Sequence, residues 1–142
     1  MSRKYQLITA TSMGVRITPA ERLPVGTGNT YIMHATSAES NVLNIAASLG
    51  MNTKVLSAFV KGSPIAAFIK GELRRRNIAY EGPEVDQGGP WGYRHQFNIA
   101  DSGFGVRAPR VHNDRAGEVG RMLKVEDFDT DRIFKQEGAE MM

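Results

Sequence analysis

Three closely spaced arginines are the side chains of this sequence best suited to bind an anionic ligand. Arg107, Arg110 and Arg115 follow one another, and Asn113 and Asp114 directly precede the last of them. A guanidinium group is a planar fork of donors whose geometry matches a carboxylate. Residue type alone favours ordinary surface charges, with a carboxylate site as the alternative, and both interpretations remain open at this point.

Asn41 is the next candidate, because it begins a narrow polar stripe on an otherwise apolar helix. The segment 36–50 reads TSAESNVLNIAASLG. Thr36 and Glu39 have the T-x-x-E spacing of a capping box, and Gly50 is suited to end a helix. Apolar residues cover most of the circumference between these signals. The segment therefore predicts a buried helix, with Asn41 as the polar residue that faces an adjacent cleft.

Several other site chemistries lack support. The sequence has no cysteine, which excludes thiolate metal sites and cysteine nucleophiles. The histidines do not have metal-ligand spacing, so we predict no metal site. K-G-S-P at 61–64 differs from the G-x-x-x-x-G-K-[ST] phosphate loop and is interpreted as a helix cap, and no G-x-S-x-G elbow presents a serine. We therefore assign no catalytic residue.

Composition indicates a globular domain. The 142 residues are 41% hydrophobic and 23% charged, values typical of one folded domain, which we place at 1–142. The net charge of +3 is spread along the chain among acidic residues, so we expect no nucleic-acid partner. There is no apolar run of membrane-spanning length and no signal-peptide core, so we expect no membrane association and a cytoplasmic location.

The first half of the sequence alternates between strands and helices. Strands are predicted at 5–10, 53–60 and 78–80, with the helix of 36–50 between the first two. Ser63 followed by Pro64 predicts the start of a second, amphipathic helix. Strands that alternate with helices build a parallel sheet, so the fold class is α/β.

The second half changes to a two-residue period. Large side chains alternate with polar ones, and a turn at 101–103 leads to a returning strand, which predicts a hairpin. The large residues are Tyr93, His95, Phe97 and Ile99, and the polar ones, which we expect to face water, are Arg94, Gln96 and Asn98. Beyond the hairpin, a helix is predicted near 130–136 and the start of another strand at 139–142.

Several motifs together resemble a known family. The run A-E-x-N-V with a downstream L-G, the K-G-S-P segment and V-H-N-D-R-A-G at 111–117 are similar to the N-terminal part of ribokinase-like (PfkB-type) carbohydrate kinases. Among these the chain most resembles the 2-keto-3-deoxygluconate kinases. The resemblance spans essentially the whole chain but only the first part of the family's chain. It implies a parallel βαβ core and a small β-sheet lid, with lid strands near 13–17, 30–35, 92–99 and 106–113.

The resemblance also implies substrate-binding residues. Asn41 matches the asparagine that binds sugar hydroxyls, Arg115 matches a substrate-contacting arginine, and Tyr93 is supported more weakly. Thr36-Ser37 stands where the family has Gly-Gly, which makes Ser37 a further candidate. Thr11-Ser12 likewise replaces a glycine followed by an acidic residue. A β-branched residue at a position of close approach predicts an obstructed sugar site.

Two functions follow as hypotheses. In the first, the chain is the sugar-binding side of a carbohydrate kinase. ATP and Mg²⁺ are then implied by the family only, because the family's Gly-Ala-Gly-Asp motif is absent, and we expect no activity from this chain alone. In the second, the chain is a degenerate or designed non-catalytic module that associates with itself through the lid. The apolar hairpin face and the unfinished strand at Met141 and Met142 favour a homodimer in either case.

Overall fold

The computed structural model describes residues 3–142 and contains ten strands and two α-helices in that range. The strands are β1 (Tyr5–Ala10), β2 (Gly14–Pro19), β3 (Tyr31–Thr36), β4 (Thr53–Leu56), β5 (Phe59–Val60), β6 (Ile78–Glu81), β7 (Glu84–Val85), β8 (Gln96–Ala100), β9 (Val111–Asp114) and β10 (Ala139–Met141). The helices are α1 (Ala38–Ser48) and α2 (Pro64–Arg75). A short π-helix, Asp131–Glu137, and 3₁₀ turns at Ala20–Arg22, Val119–Met122 and Val125–Asp127 complete the chain.

The main sheet is parallel and has the strand order β10-β1-β4-β6. Leu43 of α1 and Ile69 of α2 pack with Val55 on one face of this sheet, and all three are fully buried. Ile8 of β1 packs with Ile133 of the π-helix on the opposite face. Helices therefore cover both faces of a parallel sheet, and the predicted α/β fold class is confirmed.

A second sheet, which we call the lid sheet, has the order β3-β2-β8-β9. β2 is antiparallel to β3 and parallel to β8, and β9 returns antiparallel to β8. These strands lie where the sequence placed the lid strands, although β8 begins only at Gln96 and β9 only at Val111. Before β8, Arg94 forms a bridge with Glu118. Before β9, the residues from Phe104 to Arg107 form a tight turn instead of extended chain.

The two faces of the lid sheet differ in chemistry. Cross-strand register places Met33, Ile17 and Ile99 in one row, which belongs to the apolar face. The next row along the strands holds His34, Arg16, Asn98 and Asn113, and it belongs to the polar face together with Gln96. The alternation predicted for the hairpin is present. The prediction that its polar residues meet water is correct for Arg94, which is exposed, and wrong for Gln96 and Asn98, which are only 4% and 6% exposed.

Helix α1 has a different cap from the predicted one. The Ser37 side chain accepts a hydrogen bond from the Ser40 N–H at 2.9 Å, and the Ser40 side chain accepts one from the Ser37 N–H at 2.9 Å. The predicted pair of Thr36 and Glu39 is wrong by one position. Thr36 is the last residue of β3, and the Glu39 carboxylate accepts a hydrogen bond from the Thr11 hydroxyl.

Helix α1 is also less buried than predicted. Leu43 and Ala46 face the core, but Val42, Ile45 and Leu49 are 55%, 62% and 71% exposed. These three residues recur at helical spacing and form an apolar stripe that faces away from the sheet. The apolar residues around α1 correctly predicted a helix, but the prediction that the helix is buried on all sides is wrong.

Helix α2 agrees with its sequence signals. Ser63 caps it through its side chain, which accepts the N–H groups of Ile65 and Ala66, and Pro64 occupies the first turn. Glu72 of this helix is buried although it is charged, with 8% of its surface exposed. Its carboxylate is neutralised by an ion pair with Arg76 at 3.1 Å. No helix among residues 3–142 is long and apolar enough to cross a bilayer.

Candidate functional site

A cavity of about 390 Å³ lies between the N-terminus of α1 and the polar face of the lid sheet. We call it the central cavity. It lies beside the end of β1, on the side of the lid sheet that carries the polar row. It is lined by Thr11, Ser12, Arg16, Thr36, Ser37, Ala38, Glu39, Asn41, Gln96, Asn98, Asn113 and Arg115.

Three of the predicted substrate-binding residues meet in this cavity. Ser37 lies at the N-cap of α1, Asn41 lies one turn further along the helix, and Arg115 directly follows β9. They come from segments far apart in the sequence, and the antiparallel return of β9 carries Arg115 back towards α1. Asn41 and Arg115 are solvent-exposed, so their amide and guanidinium groups are accessible to a ligand.

Tyr93, the fourth predicted residue, lies elsewhere. It lines a different cavity of about 440 Å³ on the apolar face of the lid sheet, together with Phe97 and Ile65. The chain around Tyr93 bends so that its N–H donates to the carbonyl of Gln87 at 2.8 Å. The structure therefore separates Tyr93 from Asn41 and Arg115.

The polar face of the lid sheet supplies residues that sequence reasoning did not assign to a site. Arg16 donates from Nε to the Asn98 Oδ1 at 3.2 Å, and Asn113 is the cross-strand partner of Asn98. The two-residue period contained the signal, because it placed Gln96 and Asn98 on one face. They were overlooked because a polar strand face is ordinarily a solvated one.

The Gln96 side chain is held over Gly14. Its Nε2 donates to the Ser12 carbonyl at 2.8 Å, and a Cβ added at Gly14 would lie 2.0 Å from the Gln96 Cγ. The Oε1 of Gln96 and the hydroxyl of Ser12 are buried and have no hydrogen-bond partner among the described residues. Both atoms are almost completely shielded from solvent, so a ligand cannot reach them in this conformation, and each carries the cost of a buried polar atom without a partner.

One carboxylate and one guanidinium set the charge of the central cavity. The Thr11 hydroxyl donates to the Glu39 carboxylate at 2.5 Å and is the main cause that lowers the pKa of Glu39. The positive charge of Arg115 contributes in the same direction. Glu39 is thus a fixed, ionised acceptor. Arg115 has no ion pair among residues 3–142, which leaves its fork of donors available.

The donor set of the central cavity suits a carbohydrate that carries a carboxylate. Amide and hydroxyl groups can exchange hydrogen bonds with sugar hydroxyls, and a guanidinium can bind a carboxylate through two parallel bonds. Among residues 3–142 no cluster of three or more His, Cys, Asp or Glu side chains offers a metal site. We assign no residue of this chain to the Mg²⁺ and nucleotide that the sequence resemblance implies.

Comparison with known proteins shows the fold. No protein-family model matches the sequence, and no curated protein sequence matches it. Among solved structures, 2-dehydro-3-deoxygluconokinase from Thermotoga maritima is similar to this chain with a TM-score of 0.77 and 22% identity, over 95% of this chain and 39% of the kinase. A putative 2-keto-3-deoxygluconate kinase from Enterococcus faecalis has a TM-score of 0.78 and 18% identity, over 93% of this chain and 37% of its own.

More distant sugar kinases share the same architecture. A putative ribokinase II from E. coli has a TM-score of 0.72 at 10% identity and is matched over 94% of this chain and 41% of its own. The ribokinase-like fold predicted from the sequence is therefore confirmed, and the chain corresponds to its N-terminal part. The chain spans less than half the length of each of these structures.

Proposed function

We propose that this chain forms the sugar-binding side of a carbohydrate-kinase fold and that its ligand is a sugar acid of the 2-keto-3-deoxygluconate class. The observation that carries the proposal is the meeting of Asn41, Gln96 and Arg115 in the central cavity. The fold shared with 2-dehydro-3-deoxygluconokinase supports the same ligand class.

Each residue has a role that follows from its chemistry. Arg115 binds the carboxylate of the ligand, and the Asn41 amide exchanges hydrogen bonds with its hydroxyls. The Glu39 carboxylate, which also lines the cavity, accepts a hydrogen bond from a ligand hydroxyl. Phosphoryl transfer is not assigned to this chain, because its sequence lacks the Gly-Ala-Gly-Asp motif that the resemblance implies.

Calorimetric titration with 2-keto-3-deoxygluconate tests the proposal. We expect saturable binding that weakens by about tenfold or more in Arg115→Gln, because a charge-assisted hydrogen bond contributes roughly 1.5 to 3 kcal/mol. Arg121→Gln is the matched control, since Arg121 is exposed and lies outside the cavity. Equal binding by the two variants, or no binding by the parent, would contradict the proposal.

An ADP-release assay tests whether the chain alone catalyses phosphoryl transfer. With ATP, Mg²⁺ and the sugar acid, the chain alone is expected to release ADP no faster than the control without protein. Turnover that disappears in Arg115→Gln would show that this chain also performs the reaction.

A second candidate function is self-association through the apolar face of the lid sheet. Ile17, Phe97 and Ile99 on this face are only partly buried, and Met33 beside them is 36% exposed. Such a face is stabilised when a second copy covers it, and a twofold pairing uses the same patch on both copies. This proposal is compatible with the first, because the sugar site lies on the other face of the sheet.

A further inference from the structure

A second polar cavity, of about 340 Å³, opens beside the central cavity. We call it the side cavity. Arg16, Thr36 and Asn41 line both cavities, so the two are adjacent along the polar face of the lid sheet, and we call them together the cleft. The residues that line only the side cavity are Thr18, His34, Ala35, Asn44 and Arg76.

The side cavity is basic. Arg16 and His34 are cross-strand partners on β2 and β3, so their side chains lie next to each other on the same face of the sheet. Arg76 reaches the same cavity from the C-terminal end of α2. No carboxylate is among the residues that line it.

Both guanidinium groups are held in place by neighbouring acceptors. Arg16 donates from Nε to the Asn98 side chain at 3.2 Å. Arg76 donates to the Ala35 carbonyl at 3.3 Å and to the Glu72 carboxylate at 3.1 Å. Glu72 offsets the charge of Arg76, whereas Arg16 has no carboxylate partner among residues 3–142. The side cavity therefore keeps a net positive charge.

We propose that the side cavity is an oxyanion subsite and that the ligand of the whole cleft is a phosphorylated sugar acid. Its phosphate is bound by Arg16, His34 and Arg76, and its carboxylate by Arg115. The arginine fork binds phosphate oxygens as readily as it binds a carboxylate. The assignment of a sugar acid rests on the proposed function, whereas the oxyanion subsite stands on the side cavity alone.

Arg16, Asn98 and Asn113 lie in one row on three adjacent strands. Neighbouring strands are about 4.8 Å apart, so the ends of this row are separated by roughly 10 Å. Arg115 follows Asn113 by two residues, so a ligand held by both Arg16 and Arg115 must extend from β2 to the end of β9.

Inorganic phosphate is the first probe. In a ¹H–¹⁵N titration of the parent chain we expect saturable shifts in the amides around Arg16, His34 and Arg76. The affinity should fall by about tenfold or more in Arg16→Gln and remain unchanged in the control Arg121→Gln. Equal affinity in all three proteins, or no saturable shift in the parent, would overturn the subsite. Circular dichroism checks that each variant is folded.

Gluconate and 6-phosphogluconate provide the second test. The parent is expected to bind 6-phosphogluconate at least about tenfold more tightly than gluconate, and Arg16→Gln should abolish this preference. Arg115→Gln should weaken both ligands and keep their ratio. A ratio near one in the parent would overturn the subsite and leave the proposed function intact. Phosphate binding that depends on Arg16, without any binding that depends on Arg115, would retain the subsite and refute the proposed function.

Discussion

The Nδ1 of His95 lies 2.9 Å from the main-chain carbonyl oxygen of Met13, in the connection between β1 and β2. The other ring nitrogen, Nε2, accepts the N–H of Val60 at 3.3 Å. Because Nε2 is an acceptor, the ring is neutral and Nδ1 carries the proton that is donated to Met13. His95 is 5% exposed and thus ties the start of the lid sheet to the core through both nitrogens.

This arrangement predicts a loss of stability in mild acid. Burial lowers the pKa of His95 below 6.5, since the charged ring would be desolvated. Between that lowered pKa and 6.5 the unfolded chain binds more protons than the folded one, so stability is complete above about pH 6.5 and falls as the pH decreases. Urea unfolding at about pH 7.5 and about pH 5.5 should show a larger loss for the parent than for His95→Gln.

The quantity to compare is the change in unfolding free energy between the two pH values in each protein. The absolute stabilities are less informative, because His95→Gln loses the hydrogen bonds of His95 at both pH values. Asp101 and Glu137 have pKa values lowered to about 2 by Arg107 and Lys54 respectively, so their stabilising effect is lost only in far stronger acid. Identical slopes in the two proteins would show that His95 is not the group that titrates.

Gly14→Ala should disrupt the polar face of the lid sheet. The added Cβ would lie 2.0 Å from the Gln96 Cγ and 2.5 Å from the Gln96 carbonyl oxygen. Overpacking of this kind costs roughly 1 to 3 kcal/mol in the free energy of unfolding, and displacement of Gln96 should also weaken sugar-acid binding. Gly71→Ala is the control, since nothing lies within 4 Å of its added Cβ and helix α2 should gain about 1 kcal/mol. A stable Gly14→Ala that binds normally would contradict this account.

The change of Thr36-Ser37 to Gly-Gly tests whether these side chains restrict the sugar site. If they do, calorimetry should detect tighter binding of 2-keto-3-deoxygluconate by the double variant than by the parent. The stability cost of losing the Ser37 cap should be only a few tenths of a kcal/mol, since glycine is an acceptable N-cap, whereas Ser37→Ala should cost about 1 kcal/mol. The same affinity before and after the change would mean that the two positions do not control access.

Replacement of Phe97 and Ile99 by Asp should give monomers in sedimentation experiments if the apolar face of the lid sheet forms a dimer. The control is Ile45→Asp with Leu49→Asp, which places the same charges on the exposed apolar stripe of α1. Only the lid variant should change the mass, and circular dichroism should exclude unfolding as the cause. A parent that sediments as a monomer at high micromolar concentration would refute the lid dimer.

The fold was largely predictable from local patterns. The spacing of apolar residues located α1 and α2, and Ser63 with Pro64 marked the start of α2 correctly. The two-residue period correctly assigned Phe97 and Ile99 to one strand face and Gln96 and Asn98 to the other. These features follow from backbone periodicity, which involves only residues near one another in the sequence.

The cap and the burial of α1 were not predictable in this way. Pairing with Gly14 makes Thr36 the last residue of β3, so Ser37 is the N-cap of α1 and the third helical residue is Ser40 instead of Glu39. Ser40 therefore pairs with Ser37. The apolar circumference of α1 likewise does not reveal which side meets the sheet, and Ile45 ends up exposed.

The candidate site likewise was predictable in part from the sequence and depends in part on the tertiary structure. Residue type and the family resemblance selected Ser37, Asn41 and Arg115, and the tertiary structure brings these three together. Only the structure shows that Tyr93 lies outside that cavity and that the polar face of the lid sheet lines it. A strand pattern defines which side chains share a face, but it does not define what that face packs against. That choice depends on how two sheets and a helix meet across long sequence separations, where no local periodicity operates.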